Sequence, residues 1–141
     1  MRVQSKIHIN SGDACTSPGK EVGMLFPKEN QKKKKRIHHP KSIMHDKESR
    51  TCYLCMLLDG NHKKHIVLHQ HHVFGGPNRN HSEETGLTVY LCPEHHIYGK
   101  LAVHNCKETM DLMHKLGQQE YEREHTRQEF TKIFGKNYLE K

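Results

Sequence analysis

The stretch "LHQHHVFGG", residues 68–76, places three histidines in four positions and closes on a Gly-Gly pair. A soluble core has little use for so many imidazoles, so the segment reads as surface decoration, a metal cage or a reaction centre. Around it, "HIVLHQHHVF" (65–74) alternates. Ile66, Leu68 and Gln70 fall on one side, and His65, Val67, His69 and His71 on the other. Period two predicts a β-strand, here in a hairpin with the segment before it. Neighbours on a strand point to opposite faces, so His71 and His72 can do two different jobs.

Paired donors flank this segment. Cys52 and Cys55 form C-x-x-C within "TCYLCMLL" (51–58), which reads as a short strand broken by a knuckle. Cys92 and His95 form C-x-x-H, and "LTVYLC" (87–92) before them is β-rich. Four soft or borderline donors suit tetrahedral zinc. The 36 residues between Cys55 and Cys92 are long for a small finger and point to an inserted functional segment. Hydrophobic residues make up 33% of the chain and Trp is absent, so a structural zinc would supply stability that the apolar residues cannot. Cys15 and Cys106 have no partner by spacing.

Farther along, "GGPNRNHSEETG" (75–86) reads as a long loop, with Ser82 capping a single helical turn. Pro93 opens a helix just after Cys92. Residues 106–125 are predicted helical on the stripe Met110, Met113, Leu116, Tyr121, and Gly117 weakens that helix by about 1 kcal/mol relative to Ala. Thr126 and Glu129 make a capping box for a last helix over 127–134, which stops at Gly135. His62, His65, His69 and His81 read as solvent-facing or loop residues, although His69 could line the site, ranking below the His71–His72 pair; His114 and His125 read as lying on polar helix faces.

The 141 residues carry a formal charge of +7, unevenly placed. Residues 1–50 hold 12 Lys/Arg against 5 Asp/Glu, and residues 51–141 hold 11 against 11. The run Lys32, Lys33, Lys34, Lys35, Arg36 is expected to be a disordered arm able to hold phosphates electrostatically. Residues 1–30 show no sustained period, and Met24 is a possible start. No stretch reads as a secretory signal or a membrane span, so a cytoplasmic protein with reduced thiols and no membrane partner is expected.

In combination, "CYLC", "HHVFGG" and "LCPEHH" resemble the HNH endonuclease family with its ββα-metal fold, over about residues 50–105. The resemblance is to the phage and prophage type, whose zinc knuckles bracket the catalytic hairpin, which implies a bacterial or phage-encoded protein. It implies an α+β fold: a small ββα-metal core with structural Zn2+ on Cys52, Cys55, Cys92 and His95. Domain bounds follow as 1–48 for the basic arm, 49–105 for the core and 106–141 for a helical extension packed on it. His72 would be the general base, and His71 and His96 would hold a catalytic divalent ion such as Mg2+ or Mn2+. Relatives often carry an Asn shortly before the second knuckle, where this chain has "GLTVYLC". Asn78, Asn80 and His104 are the nearby candidates for that role. The implied function is a metal-dependent DNA endonuclease or nickase. Two alternatives are a non-catalytic zinc-stabilised nucleic-acid-binding module and a scaffold that docks through its C-terminal helices. The sequence leaves the oligomeric state open.

Overall fold

The computed structural model describes residues 35–140. Lys32, Lys33 and Lys34 of the basic run, together with Cys15 and Met24, lie outside the described residues. Lys35 and Arg36 are exposed. Among the described residues, the fold is a small mixed α/β arrangement of one two-stranded antiparallel sheet and four α-helices.

The first knuckle is helical. Tyr53–Asp59 forms α1, with Cys52 at its N-cap, where a broken strand is predicted. An apolar run this short has no period that separates strand from helix, and its Leu and Met residues favour the latter. Gly60, at φ +60°, ends the helix in the left-handed region.

β1 (His69–His72) pairs with β2 (Thr88–Leu91), with His69 opposite Leu91, His71 opposite Val89 and His72 opposite Thr88. The predicted hairpin with the preceding segment is therefore incorrect; that segment contributes only the isolated bridge Thr51–Lys64. The predicted 75–86 loop is also corrected, because a 3-10 turn at Gly76–Asn78 leads into α2 (Arg79–Thr85). Ser82 does not cap this helix but lies buried inside it. Its hydroxyl donates to Phe74 O (2.9 Å) and accepts from Phe74 N–H (3.1 Å), satisfying the backbone where β1 has run out of partners. Gly86 ends α2 at φ +74°, and a Cβ there would stand 2.5 Å from Lys41 O.

That contact belongs to a segment running beside β2. Ile43 N–H donates to Gly86 O (2.9 Å), and the Ser42 hydroxyl donates to Thr88 O. Buried His45 accepts from Tyr90 N–H at Nδ1 (3.3 Å), which leaves Nε2 to donate to Thr51 Oγ1 (3.1 Å). Burial pulls the His45 pKa down, consistent with the neutral ring those two bonds require. Residues 42–45 thus belong to the folded unit, although the sequence places them in the arm.

After β2, Pro93 leads into a π-helical turn, Glu94–Tyr98. α3 (Lys107–Tyr121) and α4 (Arg127–Phe134) follow. The capping box is present: Thr126 N–H donates to Glu129 Oε2 (2.8 Å), and Glu129 N–H donates to Thr126 Oγ1 (3.3 Å). α4 stops at Gly135 as predicted. Both helices pack on Phe74, whose ring centroid lies 4.6 Å from Phe134, 5.4 Å from Phe130 and 5.1 Å from Tyr138. Met113 and Tyr121 of the apolar stripe are buried, and Met110 and Leu116 partly so. Among the described residues, no helix is long and apolar enough to cross a membrane.

Gly117 has a packing role that its helix propensity conceals. A Cβ there would lie 2.6 Å from Val73 Cγ1 and 3.2 Å from Phe74 Cε2, so the missing side chain is what lets α3 meet the end of β1. Ala would improve propensity by about 1 kcal/mol, while overpacking costs about 1–3 kcal/mol. Gly117→Ala is therefore expected to lose stability, by about 1–2 kcal/mol in a urea titration. An unchanged or raised midpoint would contradict this contact.

Candidate metal centres

Helical spacing brings each pair of knuckle donors to one side. Cys52 and Cys55 are three residues apart across the start of α1, and Cys92 and His95 are three apart across the turn after β2. The four donor atoms lie within 4.8 Å of one another. Zinc–sulfur bonds of about 2.3 Å and zinc–nitrogen bonds of about 2.0 Å in a tetrahedron imply S–S edges of roughly 3.8 Å and S–N edges of roughly 3.6 Å. Cys55 Sγ and Cys92 Sγ are 4.0 Å apart. His95 Nδ1 lies 3.6, 3.3 and 3.5 Å from the sulfurs of Cys52, Cys55 and Cys92.

Among protein groups alone, Cys55 and Cys92 resist ionisation. Burial pushes the Cys55 thiol up to about 12, with Cys52 and Cys92 adding to the shift. Burial also raises Cys92. Three buried thiols around one imbalanced space are the donor set a divalent cation turns into thiolates. The residues therefore fit zinc, as expected from the sequence. His65 lies closer to this centre than predicted, with Nε2 3.8 Å from Cys55 Sγ.

A second group of donors forms beside it. His71, His96 and His104 present nitrogens within 4.8 Å of one another. His71 is buried, and its Nε2 has no hydrogen-bond partner. An orphaned buried nitrogen is costly unless something accepts its lone pair or proton. Its ring lies 5.5 Å from His96 and 5.2 Å from His104, centroid to centroid. His96 is contacted at both nitrogens: Nδ1 lies 3.0 Å from His69 Nδ1, and Nε2 lies 3.2 Å from His104 Nε2. Burial holds His71 down to about 3, with His104, His96, His72 and His114 contributing, and burial also lowers His96. Both rings thus offer neutral lone pairs at neutral pH, as ligation requires. The trio fits a divalent transition-metal ion.

His71, His72, His96 and His104 line one cavity of about 680 Å³. On its rim, His72 Nε2 donates to Glu83 Oε1 (2.7 Å). Glu83 also meets His39 Nε2 (3.4 Å) and Arg79 Nε (3.5 Å). Desolvation opposes the charge on Glu83, but the bond from His72 and the basic groups around it, Arg79 among them, outweigh it, so its carboxyl sits below the usual range. An ionised carboxylate only accepts, so Glu83 places the His72 proton on Nε2 and leaves Nδ1 as the basic atom.

The structure brings His71, His72, His96 and His104 to one place. Asn78 lines the cavity too, but its amide donates to Phe134 O (3.1 Å); Asn80 is exposed and is not part of the lining. Two participants, Glu83 and His114, escape the sequence reading, and a third, His69, is ranked there below the His71–His72 pair. Glu83 sits in a segment taken for loop. His69 is half-buried against His96 rather than solvent-facing. His114 is half-buried with its ring stacked on Phe74 (5.3 Å, 11°), not on a polar face. The i to i+4 step from Arg79 to Glu83 is a local signal only once α2 is recognised. Cys106 caps α3 and donates to Glu108 Oε2 (3.2 Å), away from both clusters. The chain matches no protein-family model, no curated protein and no solved structure.

At saturation the protein is expected to carry two equivalents of zinc by elemental analysis. His71→Ala should lower this to one with the far-UV circular dichroism spectrum retained. Cys55→Ser should lose the fold, because structural zinc sites contribute about 10–16 kcal/mol, comparable to a whole domain's stability. A folded, metal-free Cys55→Ser protein would remove zinc from the account of the fold.

Proposed function

We propose that the protein is a metal-dependent DNA endonuclease or nickase that hydrolyses phosphodiester bonds. The observation that carries this reading is the orphaned Nε2 of His71, facing His96 and His104 in the cavity that also receives His72. The likeness of "HHVFGG" and "LCPEHH" to the HNH endonucleases supports it, as does a formal charge of +7.

Each residue then has a task. His71, His96 and His104 hold a divalent cation, which when bound supplies Lewis-acid stabilisation of the phosphate's developing charge and of the leaving oxygen. Three imidazoles form a nitrogen-only donor set. Magnesium and manganese prefer oxygen, so cobalt, nickel or zinc suits this set better than Mg2+ or Mn2+. His72 takes the proton of the attacking water at Nδ1, and Glu83 fixes the tautomer and stabilises the imidazolium that results. Arg79, exposed on the cavity rim, is placed to pair with a phosphate oxygen. The Cys52, Cys55, Cys92 and His95 cluster holds the scaffold and takes no part in the chemistry.

The test is nicking of supercoiled plasmid by protein carrying one equivalent of zinc, in the presence of nickel, cobalt, manganese or magnesium. The parent is expected to relax the plasmid, fastest with nickel or cobalt. His72→Ala should slow the reaction about 10²- to 10⁴-fold, the usual contribution of a positioned general base. Glu83→Gln should also slow the reaction, because Gln can donate as well as accept and no longer fixes the His72 tautomer. Intact plasmid under every ion, with DNA still bound, would turn the reading to a zinc-stabilised binding module.

A further inference from the structure

The cavity that receives the histidines has a second kind of wall. His114 and Tyr138 line it as well, contributed by α3 and by the segment after α4. Their ring centroids are 4.8 Å apart, and His114 stacks nearly flat on Phe74, which is itself buried. Both side chains are half-buried, and Tyr138 also packs on Phe74 at 5.1 Å. Burial pushes the His114 pKa down, so its ring is neutral and suited to stacking.

Tyr138 also lines a smaller cavity of about 210 Å³ on the surface. Lys107, Lys115 and Lys136 line that one, together with Asp111 and Glu140, which leaves one net positive charge. Lys136 Nζ lies 5.1 Å from the Tyr138 ring centroid. The order is therefore imidazole cluster, aromatic wall, lysines. A nucleic-acid strand presents the matching order: a phosphate, the flat face of the adjoining base, and the next phosphate. Paired bases in a duplex have both faces stacked and offer none to a protein wall.

We propose that Tyr138 and His114 stack an unpaired base, so that the cleft selects single-stranded DNA, including unpaired segments of branched DNA, over duplex. The placement of the reacting phosphate rests on the endonuclease reading. The base-binding wall does not need cleavage to be observed.

The experiment uses the full-length zinc-loaded protein without added magnesium or manganese. Fluorescence anisotropy measures binding of a short single strand carrying 2-aminopurine, of the matching duplex, and of a same-length strand built wholly of abasic units. The single strand is expected to bind at least about tenfold more tightly than the abasic strand and the duplex, with quenching of 2-aminopurine, as base–aromatic stacking implies. Tyr138→Leu should weaken single-strand binding by about tenfold and leave abasic binding unchanged, while Tyr138→Phe should bind as the parent does. Equal affinity for the abasic strand and the base-bearing strand overturns the proposal whether or not the Leu variant folds. Single-strand binding unaffected in a folded Tyr138→Leu protein overturns it too. A nicked plasmid with no preference for bases would leave the endonuclease reading standing alone. Base-dependent binding with intact plasmid would do the reverse.

Discussion

Three thiols and an imidazole meet where α1 and the end of β2 touch, and burial opposes the charge that makes thiols useful. A cation held there would resolve that conflict, and the rest of the molecule is arranged around this cluster. The donors come from two knuckles 40 residues apart in sequence (Cys52 to Cys92), so an ion would close a long loop that the modest apolar content would close weakly. It would also fix His95, and His96 is the next residue. One residue faces the cysteines and its neighbour faces His69 and His104. The position of the second cluster is thus inherited from the first.

A similar inheritance operates at the end of β1. His71, His72, Val73 and Phe74 are consecutive, and each has a different duty. His71 turns into the cluster, His72 reaches Glu83, Val73 receives the close approach of Gly117, and Phe74 seats α4. Packing of the C-terminal helices and geometry of the histidine cavity are therefore set by the same four residues. Changes in α3 that shift Val73 would be felt at His72, because packed interiors transmit displacement.

Glu83 gathers three basic groups onto one carboxylate: His72 from the strand, Arg79 from its own helix, and His39 from the segment that follows the basic run. The pairs made by the exposed His39 and Arg79 add little to stability. Their effect here is positional, since a carboxylate that can only accept decides which nitrogen of His72 holds hydrogen. The segment 42–45 adds a second tie between the N-terminal part and the sheet, through His45 and Tyr90.

The readings that survive contact with the structure are those whose cause is local. Donor pairs spaced three apart form knuckles because one helical turn closes over three or four residues. A Thr-x-x-Glu box and a following Gly bound α4 because their hydrogen bonds lie within that helix. What failed was non-local or lay in a short apolar run. "TCYLCMLL" is helix, β1 pairs forward across α2 rather than back, and Ser82 is buried under Phe74 rather than capping a turn. Glu83 and His114 could not be singled out from the sequence, and His69 could not be ranked with the pair, because each acquires its role only when segments far apart in the chain close on one cavity. The sequence by itself determined which chemistries were available: soft donors in pairs, imidazoles in excess, and a basic N-terminal third. Only the tertiary structure decided which imidazoles meet, since that depends on strand pairing and on contacts whose partners lie dozens of residues away.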